Sequence, residues 1–284
     1  MDGRYMKIKK KRKKKKCPYG RKYCMGEKEE IAMIWCAIVD SFIYLNDHLN
    51  ETGYRVKKGY ITRVCEKISG ITVNNMGING STTEDWLKVA IPKADFYTIL
   101  LGTNDWHHHI PVGGTEDFKH AQKGTILGNL GDLVKRIREK ASDAPVIIMN
   151  PVERGDFVCI DDPENNARGS YAPDGGQMLA AIADQIFLEC RGEKIYPVDL
   201  HKRCGFLQEN VVHFKRVKKD GRYQNLPYPD YVDVPYDPLN DEYPYPPEAV
   251  HMTYDGLHPS DEGSEVIAQI LAETINKILG GQQD

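Results

Sequence analysis

Ser41, Asp255 and His258 are the residues whose types and neighbours suggest chemistry. Ser41 follows an apolar run directly, in Val39-Asp40-Ser41-Phe42, and Asp255 and His258 share one short stretch, Asp255-Gly256-Leu257-His258-Pro259. A serine at a strand-to-helix turn exposes its hydroxyl and sets its own N–H near a helix N-terminus, where developing negative charge is favoured. A histidine can serve such a serine as general base, and an aspartate three residues away can orient and stabilise the imidazolium. Asn104, in Gly102-Thr103-Asn104-Asp105, offers a side-chain amide donor. Gly77 offers a backbone N–H that a substrate can approach closely because it has no Cβ. With the Ser41 N–H, these make three donors for an oxyanion.

Such residues need elements to position them. The apolar runs 31–39, 71–76, 96–101, 146–149 and 195–198 alternate with helix-period segments 61–68, 84–89, 126–140, 177–191 and 262–279. That alternation predicts an α/β fold with a mostly parallel sheet of about five strands and helices on both faces. Short apolar strands bounded by turn residues are covered on both sides. In a doubly wound sheet ligands bind beyond the carboxyl ends of the strands. Ser41, Gly77 and Asn104 each follow such an end.

In this order, the four segments resemble the Ser, Gly, Asn and His blocks of the SGNH (GDSL-like) serine esterases. The resemblance covers about residues 30 to 280. It implies a three-layer α/β/α sandwich, a triad of Ser41, Asp255 and His258, and an oxyanion hole of Ser41, Gly77 and Asn104, with no metal or organic cofactor. One departure is Val39, where the family usually has glycine before the Asp-Ser pair. A β-branched residue takes positive φ poorly, so lowered activity is an expectation here.

Asn79, Trp106, His107 and Tyr254 stand near these blocks as candidate substrate contacts. Consecutive histidines 107 to 109 point in different directions along an extended loop, and no Cys or carboxylate cluster completes a tetrahedral metal set, so they read as a polar rim. The leading expectation is hydrolysis of a small-molecule or glycan ester, with a short acyl group on a carbohydrate as first substrate. A lipid or thioester acyl hydrolase, or an inactive carbohydrate-binding module, are the alternatives.

The chain has 284 residues, 40% of them hydrophobic, enough for one large domain. Residues 1–25 carry 12 Lys and Arg against Asp2 alone, leaving 26 basic and 40 acidic residues for the remainder. A tail so charged cannot bury an apolar face and is expected to be disordered, with an anionic surface or nucleic acid as its candidate partner. The domain is expected over 26–284, with insertions near 153–175 and 202–254. The second insertion holds seven prolines and six tyrosines between Leu226 and Tyr254 and is expected to wall the site. Seven cysteines without a Cys-x-x-Cys pair favour free thiols. With neither a signal-peptide pattern nor an apolar spanning run, a cytoplasmic location is expected; oligomeric state is left open.

Overall fold

Five short strands rich in β-branched and aromatic residues build the centre of the molecule, a computed structural model that describes residues 32–159 and 165–280. They are β1 (Met33–Val39), β2 (Ile71–Asn75), β3 (Phe96–Leu100), β4 (Val146–Met149) and β5 (Ile195–Val198). All pairings are parallel, in the order β2-β1-β3-β4-β5. The chain thus winds outward from β1 in both directions, and the carboxyl ends of β1 and β3 meet at the switch point.

Alternation along β1 divides the core into two. Trp35, Ala37 and Val39 pack with α1 (Ser41–Asp47), α2 (Tyr60–Lys67) and the last helix, Asp261–Gly280. Cys36 and Ile38 face the other side. They join α3 (Thr103–His107), α4 (Thr115–His120), α5 (Ile126–Lys140) and α6 (Leu179–Glu189). Helices cover both faces, giving the three-layer α/β/α sandwich. After β5 come α7 (Leu200–Arg203), an antiparallel hairpin of β6 (Lys215–Lys219) and β7 (Arg222–Leu226), and finally α8, the Asp261–Gly280 helix.

The five strands and the longer helices fall close to the periodicity-based expectation. Differences occur where local signals are weak. The segment 84–89 forms only a 3₁₀ turn, Asp85–Lys88, and α6 starts at Leu179 rather than 177. The hairpin within 202–254 is lined largely by charged side chains and carries no apolar alternation to announce it. The same insertion also builds a small buried cluster of Val211, Val212, Tyr245 and Ala249. The basic tail 1–25, with Cys17 and Cys24, and residues 160–164 of the first insertion lie outside the described residues. No helix among those described is long and apolar enough to cross a membrane.

Candidate active site

The turn from β1 into α1 places Ser41. Asp40 caps the helix, its Oδ1 accepting from the Phe42 N–H at 3.1 Å. Ser41 then opens the helix with its side chain at the floor of a cleft of about 500 Å³ beyond the carboxyl ends of the strands. Neither the Ser41 N–H nor the Gly80 N–H takes part in a hydrogen bond among the described residues. Val39, immediately before the turn, lies inside β1 opposite Leu100, fully buried and without positive φ. The expected backbone conflict at Val39 therefore does not arise.

His258 reaches Ser41 from the loop ahead of α8. Its Nε2 lies 2.9 Å from the Ser41 Oγ, and its Nδ1 lies 2.6 Å from the Asp255 Oδ2. With the ring proton on Nδ1 facing the carboxylate, Nε2 accepts from the serine hydroxyl. Asp255 Oδ1 accepts from the N–H groups of Leu257 (3.0 Å) and His258 (2.7 Å), so the carboxylate is held at both oxygens. Burial opposes ionisation of Asp255, but the His258 charge and these donors outweigh it and hold the carboxyl below its ordinary value. Tyr254, Phe157 and Phe42 surround the imidazole, with ring centroids at 5.8, 5.5 and 6.1 Å.

The loop that presents this pair is tied down from below. Gly256 has φ +89°, and the Gly155 N–H donates to its carbonyl at 2.7 Å. Its own N–H donates to Thr253 Oγ1 at 3.1 Å. The Tyr245 hydroxyl and the Lys215 ammonium both bind Asp156, one at its carbonyl (2.6 Å) and one at its carboxylate (2.5 Å), which fixes the strip the loop rests on.

Asn104 stands at the start of α3 on the cleft wall, its Nδ2 donating to the Ser81 carbonyl at 3.0 Å and to Asp40 Oδ2 at 3.3 Å. Gly77 requires a correction. Its N–H donates to Asn75 Oδ1 at 2.9 Å, and a Cβ there would stand 2.4 Å from the Tyr44 nitrogen, so this glycine serves close packing against α1. Gly80, three residues on, lines the cleft at φ +69°. The Asn79-Gly80 pair, a turn signal, marked it in the sequence.

Asn79, His107 and Tyr254 line the cleft as expected from their positions. Trp106 does not. It is 1% exposed, packs in the core, and donates its indole N–H to the Gln177 carbonyl at 2.7 Å. His107 and His109 both bind Asp174, at 3.0 and 2.5 Å, and His108 joins the cleft wall. Arg55, Arg154, Phe157 and Tyr243 also line the cleft and escaped the sequence reading.

An α/β/α sandwich with a serine, histidine and aspartate in hydrogen-bond sequence at its switch point defines the hydrolase class. The GDSL-like lipase/acylhydrolase family matches this chain over residues 40–214. A crystal structure described as a possible lipase from Chitinophaga pinensis DSM 2588 is 42% identical with a TM-score of 0.84, covering 87% of this chain and 99% of that one. A protein from Lactobacillus plantarum, 16% identical with a TM-score of 0.53 over 86% of this chain and 97% of that one, shares the fold. No curated protein matches. The chain belongs to the GDSL-like lipase/acylhydrolase family and is an ester-bond hydrolase.

Proposed function

We propose that this enzyme cleaves a short acyl ester carried by a carbohydrate, with Ser41 as nucleophile, His258 as general base and then acid, and Asp255 as the group that orients it. The observation that carries the reading is the unbroken sequence from Asp255 Oδ2 through the imidazole to Ser41 Oγ, at 2.6 and 2.9 Å, opening into the cleft. Ser41 Oγ attacks the ester carbonyl while its proton passes to His258 Nε2. The tetrahedral oxyanion is met by the N–H groups of Ser41 and Gly80 and by the Asn104 amide. For Asn104 the weak 3.3 Å link to Asp40 is the one exchanged. Collapse expels the alcohol, which takes the proton from His258. Water activated by the same histidine then releases the acid and restores Ser41.

The cleft suits a sugar. Asn79, His107 and His108 offer polar contacts, and Tyr243, Tyr254 and Phe157 offer flat faces. A mainly apolar recess beside His258, lined by Phe42, Leu45, Leu49, Val56 and Pro259, holds only about 10 Å³, which suits a short acyl group. A fluorophosphonate probe should label the full chain at Ser41 and leave Ser41→Ala unlabelled. The variant should lose ester hydrolysis by at least about 10³-fold with an unchanged circular dichroism spectrum. Acetyl esters, including acetylated sugars, should outrun longer p-nitrophenyl esters. Rates that rise with chain length would instead point to a lipid substrate.

A further inference from the structure

Arg154 follows β4 at the carboxyl edge of the sheet and lies on the wall of the cleft that holds Ser41. It is 2% exposed, yet its Nε and Nη2 have no hydrogen-bond partner among the described residues. The acids around it are committed elsewhere: Asp156 to Lys215 at 2.5 Å, Asp255 to His258 at 2.6 Å, and Asp174 to His107 at 3.0 Å. Its guanidinium is held between two rings, 5.5 Å from Trp106 and 5.9 Å from Phe157. Burial lowers its pKa to about 10, which leaves it a cation at neutral pH.

Burying a guanidinium with unpaired donors is costly, and no acceptor among the described residues offsets that at Nε or Nη2. Both atoms are closed to solvent, so a ligand anion in the cleft would complete the planar fork by drawing the guanidinium toward it. We propose that Arg154 binds a carboxylate on the substrate, so that the acyl ester is carried by a sugar acid or similar hydroxy acid. A single carboxylate fits better than a phosphate, because no lysine lines the cleft among the described residues. The other arginine there, Arg55, already packs on Tyr243 at 5.0 Å and reaches the Tyr254 carbonyl at 3.5 Å. The proposal rests on the reading of Ser41 as nucleophile for its substrate, but not for its binding.

Binding is therefore measured apart from turnover. Full-length Ser41→Ala protein is titrated calorimetrically with glucuronate, galacturonate and lactate, each beside its neutral carboxamide. At least one acid should bind about 10–100-fold more tightly than its amide, the value of a charge-assisted hydrogen bond. Adding Arg154→Met should remove that preference. Equal or undetectable binding of all three pairs overturns the proposal, and this comparison stands even if the arginine variant fails to fold. In the active enzyme, Arg154→Met should lower the kcat/KM ratio of O-acetylated acid to O-acetylated amide by about the same 10–100-fold, with Arg154→Lys in between. Equal proportional losses on both substrates would make Arg154 a structural residue and overturn the assignment. Retained binding preference in an enzyme that does not depend on Ser41 would instead remove the nucleophile and leave the arginine site intact.

Discussion

At the residue scale, both oxygens of Asp255 are committed, to the His258 ring and to loop N–H groups, and the proposed mechanism has it act through position and charge. Asp255→Asn keeps the shape but loses the charge and favours the wrong imidazole tautomer. A fall in kcat of about 10⁴-fold with little change in KM is expected from steady-state kinetics. A mild loss would mean that another carboxylate supports His258. Asp40 invites a different measurement. Burial raises its carboxyl from 3.8 to about 6, against the Phe42 hydrogen bond and the His258 charge that lower it. The folded chain therefore binds more protons than the unfolded chain between about pH 4 and 6, and stability from this group is lost as pH rises through that window. Asp40→Asn has no such charge to bury. The stability of the variant relative to the wild type should grow by up to about 3 kcal/mol between pH 4 and 6.5, then level off, in urea titrations. A pH-independent difference would show that Asp40 ionises as an ordinary carboxyl.

At the scale of elements, the loop before α8 matters more than any one helix, because it carries both Asp255 and His258. Gly256 is its hinge point. The residue sits at φ +89°, and a Cβ would stand 1.9 Å from the Asp156 carbonyl oxygen, which no small movement relieves. Gly256→Ala should cost more than the roughly 1–2 kcal/mol of a left-handed backbone alone. It should also lower kcat/KM, because the imidazole moves with the loop. Thermal unfolding and kinetics on one preparation check both, and an unshifted Tm with full activity would show a compliant loop. The sequence announced Gly256 only as part of a block. Its backbone geometry and the oxygen it abuts come from a segment 100 residues away.

On the scale of the whole molecule, the insertion 202–254 and the amino-terminal tail have different standing. The insertion belongs to the domain: Tyr245 and Tyr231 are 0% and 1% exposed, while Tyr243 lines the cleft. The tail, outside the described residues, is proposed to act through charge alone. Deleting residues 1–25 should leave kcat/KM for a small neutral ester unchanged and abolish salt-sensitive binding to anionic vesicles or nucleic acid. Equal binding by full-length and trimmed protein at low salt would assign the tail no anchoring role.

Hydrophobic period and chain order, which are local properties, were enough to derive the parallel sheet, its helices and the positions of Ser41, Asn104, Asp255 and His258 at its active edge. Arg154, in the segment Asn150–Gly155 after β4, stands at a strand end like the others and was legible by the same positional rule. What sequence could not convey is which polar group is already satisfied. Gly77 and Gly80 both follow β2, yet only folding shows the Gly77 N–H spent on Asn75 while Gly80 faces the cleft. Trp106 stood as a candidate substrate contact and is instead buried against Arg154, its indole N–H bound to the Gln177 carbonyl. Burial and hydrogen-bond completion depend on residues distant in sequence, so the tertiary structure alone decides which donors remain for a substrate.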